Sequence, residues 1–235
     1  MKQVLDRAET RGHANHGWLD SHHTFSFAGY YNPERMGFGL LRVLNDDVVE
    51  GGRGFGTHPH QNMEIVSIPL EGDLAHRDSM NHTKVIKQGD VQIMSAGTGV
   101  THSEFNSNAD RIVNFLQLWI MPKAQNIAPR YAQQTFLPET RKNRFQTVVS
   151  PVEGQGVWIN QDAYFSLGDL DKGTQLNYRL FDSSHGVYVF LIKGQATVAG
   201  ETLNQRDGMG VWEVDQIEIE AQSDAEILLI EVPLA

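Results

Sequence analysis

Two short motifs carry potential metal ligands two residues apart. The first, GRGFGTHPHQNME, has His58 and His60 after three glycines, and the second, SAGTGVTHSE, has His102 and Glu104 after two glycines. On an extended strand, residues i and i+2 point to the same face, so each pair can aim at one point. If the two strands adjoin, three imidazoles and a carboxylate meet. That donor set suits iron, manganese, nickel, copper or zinc.

The spacing leaves the identity of the carboxylate open, because both Glu64 and Glu104 lie at strand-compatible intervals from a histidine. Four protein ligands on an ion that accepts five or six leave open positions, which are typical of a catalytic site. A single His-x-His pair is usually incidental. Two pairs, each behind a glycine-rich turn, make coincidence much less attractive, but the spacing alone leaves a metal site and an incidental arrangement equally open.

Composition restricts the chemistry further. The 235 residues include ten histidines and no cysteine, so any metal ligands must be nitrogen or oxygen. The formal net charge of −10 predicts no direct nucleic-acid binding. The N-terminal residues 1–10 lack the apolar core of a signal peptide, and no apolar run is long enough to span a bilayer. We therefore expect a cytoplasmic protein without membrane contacts.

Short segments rich in β-branched and aromatic residues, separated by turn residues, predict an all-β sandwich or barrel. The segment 111–120 (RIVNFLQLWI) is apolar on both faces and predicts an interior strand, whereas 216–221 (QIEIEA) alternates as a strand with one wet face does. The other predicted strands lie in segments 40–49, 64–70, 91–94, 187–192 and 225–232.

A weak internal repeat indicates two related barrels. The segments IPLEGDLAH…KVIKQGDVQIM and FLIKGQATVAGETLNQRDGMGVW share the order strand, glycine (Gly72 and Gly194), strand, Gly/Asp turn and strand. The proline-containing segment 121–140 predicts a linker that has room for a short helix. We thus expect an N-terminal metal-binding barrel at 1–125 and a C-terminal barrel at 126–235. The latter contains one histidine, His185, and we expect no metal there.

Several segments resemble the pirin family of cupin proteins, namely RGHANHGWLDSHHTFSF, GFGTHPHQNMEI, LEGDLAHRDSM and IMSAGTGVTHSE. The resemblance implies a bicupin of two stacked cupin barrels with minor helices and one metal in the N-terminal barrel. It also implies that the carboxylate ligand is the glutamate two residues after the last histidine. The implied ligands are therefore His58, His60, His102 and Glu104, which leaves Glu64 near the ligands or in the pocket.

The resemblance further implies quercetin 2,3-dioxygenase activity, in which O2 opens the central ring of a flavonol and carbon monoxide is released. The expected cofactor is one divalent transition metal, with iron first and nickel, copper, manganese and zinc behind it. Glu104 is a candidate proton acceptor, although a bound metal would lower its pKa and weaken that role. The alternative function is a regulatory module that binds a protein partner according to the metal's redox state. A monomer is expected.

Other residues have two interpretations each. His13, His16, His22 and His23 form either a second metal site or, as we prefer, a structural segment in which Trp18, Phe25 and Phe27 pack on the barrel. His76 and Asp78 either line the pocket or form a surface pair. Phe55 and Met63 either contact an aromatic substrate or, as we prefer, belong to the core.

Overall fold

The computed structural model describes residues 1–234 and is built almost wholly from β-strands. Two short 3₁₀ helices, Ala8–Thr10 and Pro138–Arg141, interrupt them. In chain order the strands are β1 (Lys2–Asp6), β2 (Gly12–Asn15), β3 (Leu19–His23), β4 (Leu41–Val49), β5 (Gly54–His60), β6 (Glu64–Glu71), β7 (Asp73–Asp78), β8 (Thr83–Lys87), β9 (Asp90–Ser95), β10 (Val100–Asn106), β11 (Val113–Ile120), β12 (Arg130–Thr135), β13 (Gln146–Ser150), β14 (Val157–Trp158), β15 (Tyr164–Leu170), β16 (Gln175–Arg179), β17 (His185–Lys193), β18 (Gln195–Val198), β19 (Glu201–Asn204), β20 (Gly208–Trp212), β21 (Gln216–Ala221) and β22 (Ala225–Pro233).

These strands form the same pair of sheets twice. In the N-terminal half, a seven-stranded sheet of order β12-β9-β6-β11-β4-β3-β2 faces a four-stranded sheet of order β5-β10-β7-β8. In the C-terminal half, the orders are β1-β20-β17-β22-β15-β13-β14 and β16-β21-β18-β19. The matching orders confirm the predicted all-β fold of two related barrels.

The glycines of the predicted repeat occupy backbone positions that other residues could not adopt without strain. Gly72 joins β6 to β7 with φ +73°, and Gly194 joins β17 to β18 with φ +82°. A Cβ at Gly72 would lie 2.6 Å from the Ile112 carbonyl oxygen, and one at Gly194 would lie 2.1 Å from that of Asp224. Both positions therefore require glycine for conformation and for space.

The two barrels exchange edge strands. Strand β1 pairs with β20 in the C-terminal sheet, whereas β12 pairs with β9 in the N-terminal sheet. Sheet membership therefore departs from a division at 125/126, because residues 2–6 belong with the second barrel and 130–135 with the first. The predicted linker 121–140 contains this unpredicted strand, and the 3₁₀ helix Pro138–Arg141 begins near its end.

The two seven-stranded sheets pack on each other through one apolar cluster that draws on both halves. Strand β11 lies between β4 and β6, as an interior strand should. Leu116 and Leu118 face that cluster, while Phe115 packs on the other face of the sheet, in a separate cluster. Burying each such side chain contributes about 1.5–3 kcal/mol of transfer free energy. Both faces of β11 are thus buried, which explains its continuous apolar sequence.

The interiors of the two barrels differ in polarity. In the C-terminal barrel, strands β16, β18 and β21 contribute Tyr178, Val198, Ile217 and Ile219 to a buried apolar cluster. In the N-terminal barrel, the corresponding strands β5, β7 and β10 carry histidines and carboxylates. Within residues 1–234, no helix has the length and apolar character needed to cross a bilayer.

Candidate metal centre

The N-terminal barrel brings three histidine side chains together. Strands β5 and β10 pair antiparallel, with His58 opposite His102 and His60 opposite Val100. The ring centroids of His58, His60 and His102 are 4.5–4.9 Å apart. One ligand nitrogen from each ring lies within 4.8 Å of the other two. The i, i+2 spacing in the sequence correctly indicated this convergence.

Glycines let the two strands approach closely enough for that pairing. Gly52 adopts φ +67° in the turn before β5. At Gly54, a Cβ would lie only 2.2 Å from the carbonyl oxygen of Glu104 on β10. The glycine-rich sequence before His58 therefore sets the distance between the two ligand-bearing strands.

The geometry of the imidazoles fits a metal ion. The Nδ1–H of His58 donates to the carbonyl oxygen of Gly56 over 2.8 Å, which leaves the Nε2 lone pair free. That Nε2 lies 3.0 Å from Nε2 of His102. Two nitrogens at this separation, each bonded at about 2.0–2.1 Å to one ion, would subtend about 90° at it. This is the angle between neighbouring ligands in octahedral or square-pyramidal coordination.

Burial keeps two of the three histidines neutral. Burial, with a smaller contribution from the neighbouring imidazoles, lowers the pKa of His60 to about 4 and that of His102 to about 3. A histidine must be neutral to donate a lone pair to a metal, so these rings are in the ligand state at neutral pH.

Glu104 is 2% exposed, and one of its oxygens groups within 4.8 Å with nitrogens of His102 and His76, whereas the three histidines form a group of their own. Its Oε2 accepts the amide N–H of Gln117 over 2.6 Å, and its Oε1 lies 3.1 Å from the hydroxyl of Ser67. A β-bulge between His102 and Glu104 shifts the register of β10 against β5. Each carboxylate oxygen keeps a second acceptor site, so hydrogen bonding leaves Glu104 able to bind an ion.

His76 and Asp78 lie behind His102 and form neither a surface pair nor part of the cavity wall. Both are buried, and His76 Nε2 lies 3.1 Å from Asp78 Oδ2. The carboxylate accepts this hydrogen bond, so Nε2 of His76 carries a proton. The His76 ring lies 5.3 Å from the His102 ring, and a nitrogen of each groups with a Glu104 oxygen within 4.8 Å. His76 and Asp78 therefore lie next to the candidate ligands, on the side away from the cavity.

A cavity of about 580 Å³ opens beside the candidate ligands. Its apolar wall includes Phe27, Tyr30, Phe55 and Trp119, and the ring of Trp119 contacts that of His60 edge-on at 5.0 Å. Phe55 thus lines the cavity, whereas Met63 packs in the core against a buried cluster that includes Ile65 and Met94. The volume and the aromatic wall match those of small-molecule sites.

The N-terminal histidines have a role that sequence reasoning only partly anticipated. His13, His16 and His23 line the cavity rather than merely packing on the barrel. His13 also forms a more exposed group with Asp20 and His22, in which His13 Nε2 lies 2.9 Å from Asp20 Oδ1.

A polar wall of the cavity was missed at the sequence level. Cross-strand neighbours on β3, β4, β11 and β6 place polar side chains side by side: His23, Asn45, Gln117 and Ser67 in one row, and Ser21 and Asp47 in the next. The polar residues inside otherwise apolar strands, as in VLNDDVV and NFLQLWI, are the sequence pattern that could have indicated this polar wall.

Glu64 lies outside the cavity and outside the histidine cluster. It is 1% exposed, and its Oε2 accepts hydrogen bonds from the Ser95 hydroxyl at 2.7 Å and the Asn160 backbone N–H at 3.1 Å. Burial raises its pKa to about 7. Glu64 therefore links the N-terminal barrel to the C-terminal one, and it is not among the residues that line the cavity.

Comparison with known proteins agrees with this architecture. The family described as Pirin matches residues 4–120, and the one described as quercetinase C-terminal cupin domain matches residues 147–232. A protein named quercetin 2,3-dioxygenase from Escherichia coli K12 is 45% identical over 230 residues, covering 97% of this chain and 98% of the relative. The crystal structure of YhhW from Escherichia coli has a TM-score of 0.95 at 43% identity, covering 100% and 99% of the two chains.

A second solved structure bears on the candidate metal centre. The bacterial pirin YhhW in complex with nickel(II), also from Escherichia coli, has a TM-score of 0.94 at 42% identity, and each chain is covered completely. The two barrels, the family matches and the identity over nearly the whole length lead to one conclusion: the chain belongs to the pirin family.

Proposed function

We propose that this protein is a metal-dependent dioxygenase that opens the central ring of a quercetin-like flavonol with O2 and releases carbon monoxide. The observation that carries the proposal is the shared position of His58, His60 and Glu104 on the wall of one aromatic-lined cavity. Relatives named quercetin 2,3-dioxygenase support the substrate class and the reaction. In the overall reaction, O2 is the oxidant and one ring carbon leaves as carbon monoxide.

The proposed ligands of one divalent transition metal are His58, His60, His102 and Glu104. Iron remains our first expectation, and the nickel complex of YhhW supports a site for a divalent transition metal in this family. When bound, the ion supplies Lewis acidity at a substrate hydroxyl and a path for electrons from the flavonol to O2.

The protein's own residues orient these groups and shape the cavity. Gly56 fixes the ring of His58, and Gln117 and Ser67 fix the carboxylate of Glu104. These contacts hold the carboxylate of Glu104 in one orientation, and we assign Glu104 to hold the metal.

The cavity favours a small-molecule substrate over the alternative function, a redox-dependent regulatory module with a protein partner. Aromatic side chains such as Phe55 and Trp119 offer flat apolar surfaces to the rings of a flavonol. A monomeric state and a cytoplasmic location remain predictions.

The test is aerobic quercetin consumption by protein of measured metal content, with carbon monoxide quantified in the gas phase. His102→Ala is expected to lose the metal and carbon monoxide release together. His22→Ala is the matched control, because His22 belongs to the more exposed histidine group and does not line the cavity. A metal-loaded wild type that leaves quercetin unchanged with iron, nickel, copper, manganese and zinc would refute the proposal.

A further inference from the structure

Asp47 lies in the cavity beside the candidate metal centre and has no role in the site described so far. It is in the middle of β4, 4% exposed, with Ser21 of β3 as its cross-strand neighbour. Asn45, two residues earlier on the same face, lies opposite Gln117, which donates to Glu104. Residues i and i+2 on a strand are about 7 Å apart. Asp47 therefore lies about 7 Å along the strand from the row that contains Asn45 and Gln117, the residue that hydrogen-bonds Glu104.

The hydrogen bonding of Asp47 leaves one oxygen available. The hydroxyl of Ser21 donates to Oδ1. Among residues 1–234, the hydrogen bonds of the structure include none to Oδ2 of Asp47, and no cation forms an ion pair with it. Arg11 and Arg206 pair instead with the preceding residue, Asp46.

A buried carboxyl without a cation is costly, and such groups concentrate at functional sites. The pKa of Asp47 is raised to about 7, chiefly by burial and also by the charges of Asp46 and Glu104, while the Ser21 hydrogen bond opposes the rise. The other titratable groups that line the cavity are His13, His16, His23, Tyr30, His58, His60 and Glu104. Of the carboxyls in the cavity wall, Asp47 and Glu104, Glu104 is the proposed metal ligand.

We propose that Asp47 is the catalytic base that takes the proton from the substrate hydroxyl, an inference that rests on the proposed flavonol dioxygenase function. The O–H bond of the hydroxyl breaks, the electron pair stays on the substrate oxygen, and the proton forms a new O–H bond at Oδ2 of Asp47. Nothing is oxidised or reduced in this step. The proton leaves Asp47 for product or solvent before the next turnover.

The different roles of Glu104 as metal ligand and Asp47 as base follow from their different surroundings. Gln117 and Ser67 hold the carboxylate of Glu104 in one orientation, as a metal ligand requires. Asp47 has one donor and no cation, so its proton affinity is suited to general base catalysis near neutral pH.

The direct test is anaerobic binding of quercetin to metal-loaded protein, because a deprotonated flavonol absorbs at longer wavelength than the neutral form. In the wild type, we expect the absorbance shift on binding to be complete at neutral pH. In Asp47→Asn, we expect bound quercetin to stay neutral at pH 7 while the metal content is unchanged. In air, kcat/KM at pH 7 is expected to fall about 10²–10⁴-fold, the usual range for loss of a general base.

Ser21→Ala is the second variant, and it keeps the carboxyl. Removing a donor to a carboxylate raises the pKa of that carboxylate. The acidic limb of the kcat/KM profile should therefore move to higher pH, while the plateau value of kcat/KM at alkaline pH stays unchanged. Asp47→Glu should restore part of the activity lost in Asp47→Asn.

The outcomes separate this inference from the function on which it rests. If wild-type protein turns over quercetin while Asp47→Asn keeps the same absorbance shift and pH profile, Asp47 is not the base and the dioxygenase proposal stands. An unmoved acidic limb in Ser21→Ala would likewise overturn the role of Asp47. If wild-type protein neither binds nor consumes quercetin with any of the five metals, the proposed function fails and the role of Asp47 fails with it.

Discussion

The side-chain amide of Gln117 donates a hydrogen bond of 2.6 Å to Oε2 of Glu104. An uncharged residue in the middle of β11 thereby fixes the carboxylate of the candidate metal centre. The Ser67 hydroxyl lies 3.1 Å from both Gln117 Oε1 and Glu104 Oε1, so its single proton is shared between these two acceptors. Groups that orient a metal ligand in this way contribute to metal affinity.

Gln117→Ala is therefore expected to weaken metal binding about 10–100-fold, the range found when a residue that orients a ligand is removed. The measurement is a competition titration against a chelator of known affinity. Gln161→Ala is the control, because Gln161 is also buried and bonds the Met121 carbonyl oxygen, outside the cavity. Equal metal affinity in Gln117→Ala and the wild type would contradict this role.

Gly54→Ala tests the close approach of the two ligand strands. An added Cβ would lie 2.2 Å from the Glu104 carbonyl oxygen, so β5 must move away from β10 and carry His58 and His60 with it. We expect a loss of about 1–3 kcal/mol in unfolding free energy, as for other overpacked sites, together with weakened metal binding.

Gly56→Ala provides a matched control on the same strand, because no atom lies within 4 Å of a Cβ at that position. Urea unfolding and metal titration should place Gly56→Ala near the wild type and Gly54→Ala well below it. Similar losses in the two variants would indicate that strand flexibility, rather than the contact with Glu104, explains the glycine.

The histidine cluster could be predicted from the sequence because it depends on local periodicity. His58 with His60, and His102 with Glu104, each need only one extended strand to share a face, and glycines mark the turns before them. The two-barrel fold was predictable for the same reason, since Gly72 and Gly194 mark equivalent turns in the repeat.

The other features of the site and the fold depend on contacts between distant segments, and such contacts leave no local pattern in the sequence. The roles of Asp47 and Gln117 depend on which face of their strands meets the cavity, and both faces of β11 are buried. Glu64 follows the His-x-His motif, but packing of the second barrel supplies the Asn160 N–H that engages it. The exchange of β1 and β12 between sheets likewise requires pairing across the whole chain.

Glu64→Gln tests the pH dependence of stability. The folded-state pKa of about 7 lies above the ordinary value of 4.5. Between these values the unfolded chain releases the proton while the folded protein keeps it, so unfolding becomes easier as pH rises. The full loss is about 3 kcal/mol, is absent below about pH 4.5 and is complete above about pH 7.

Because the amide does not titrate, the stability of Glu64→Gln relative to the wild type should increase from pH 5 to pH 8. Urea unfolding at both pH values measures this difference, and any contribution common to both proteins cancels. Glu71→Gln, at the exposed end of the same strand, should give no such trend. A stability difference that is independent of pH would show that Glu64 does not retain its proton on folding.

Arg206 joins the C-terminal barrel to the N-terminal one. Its Nε lies 3.2 Å from Oδ2 of buried Asp46, and its Nη2 donates to Oδ1 of Asn114 over 3.0 Å. Arg11, the other cation near Asp46, is farther away at 3.7 Å. Arg206→Met keeps an apolar stem of similar length but leaves the Asp46 charge without its nearer partner.

We expect Arg206→Met to lower the unfolding free energy by about 3 kcal/mol, the lower end of the range for breaking a buried ion pair, because the Arg206 side chain remains 18% exposed. Arg111→Met is the control, since the Arg111–Asp73 pair spans 2.9 Å but the arginine is 62% exposed, and such pairs contribute about 0–1 kcal/mol. Urea unfolding compares the two. Equal losses would mean that Arg206 contributes no more than an ordinary surface charge.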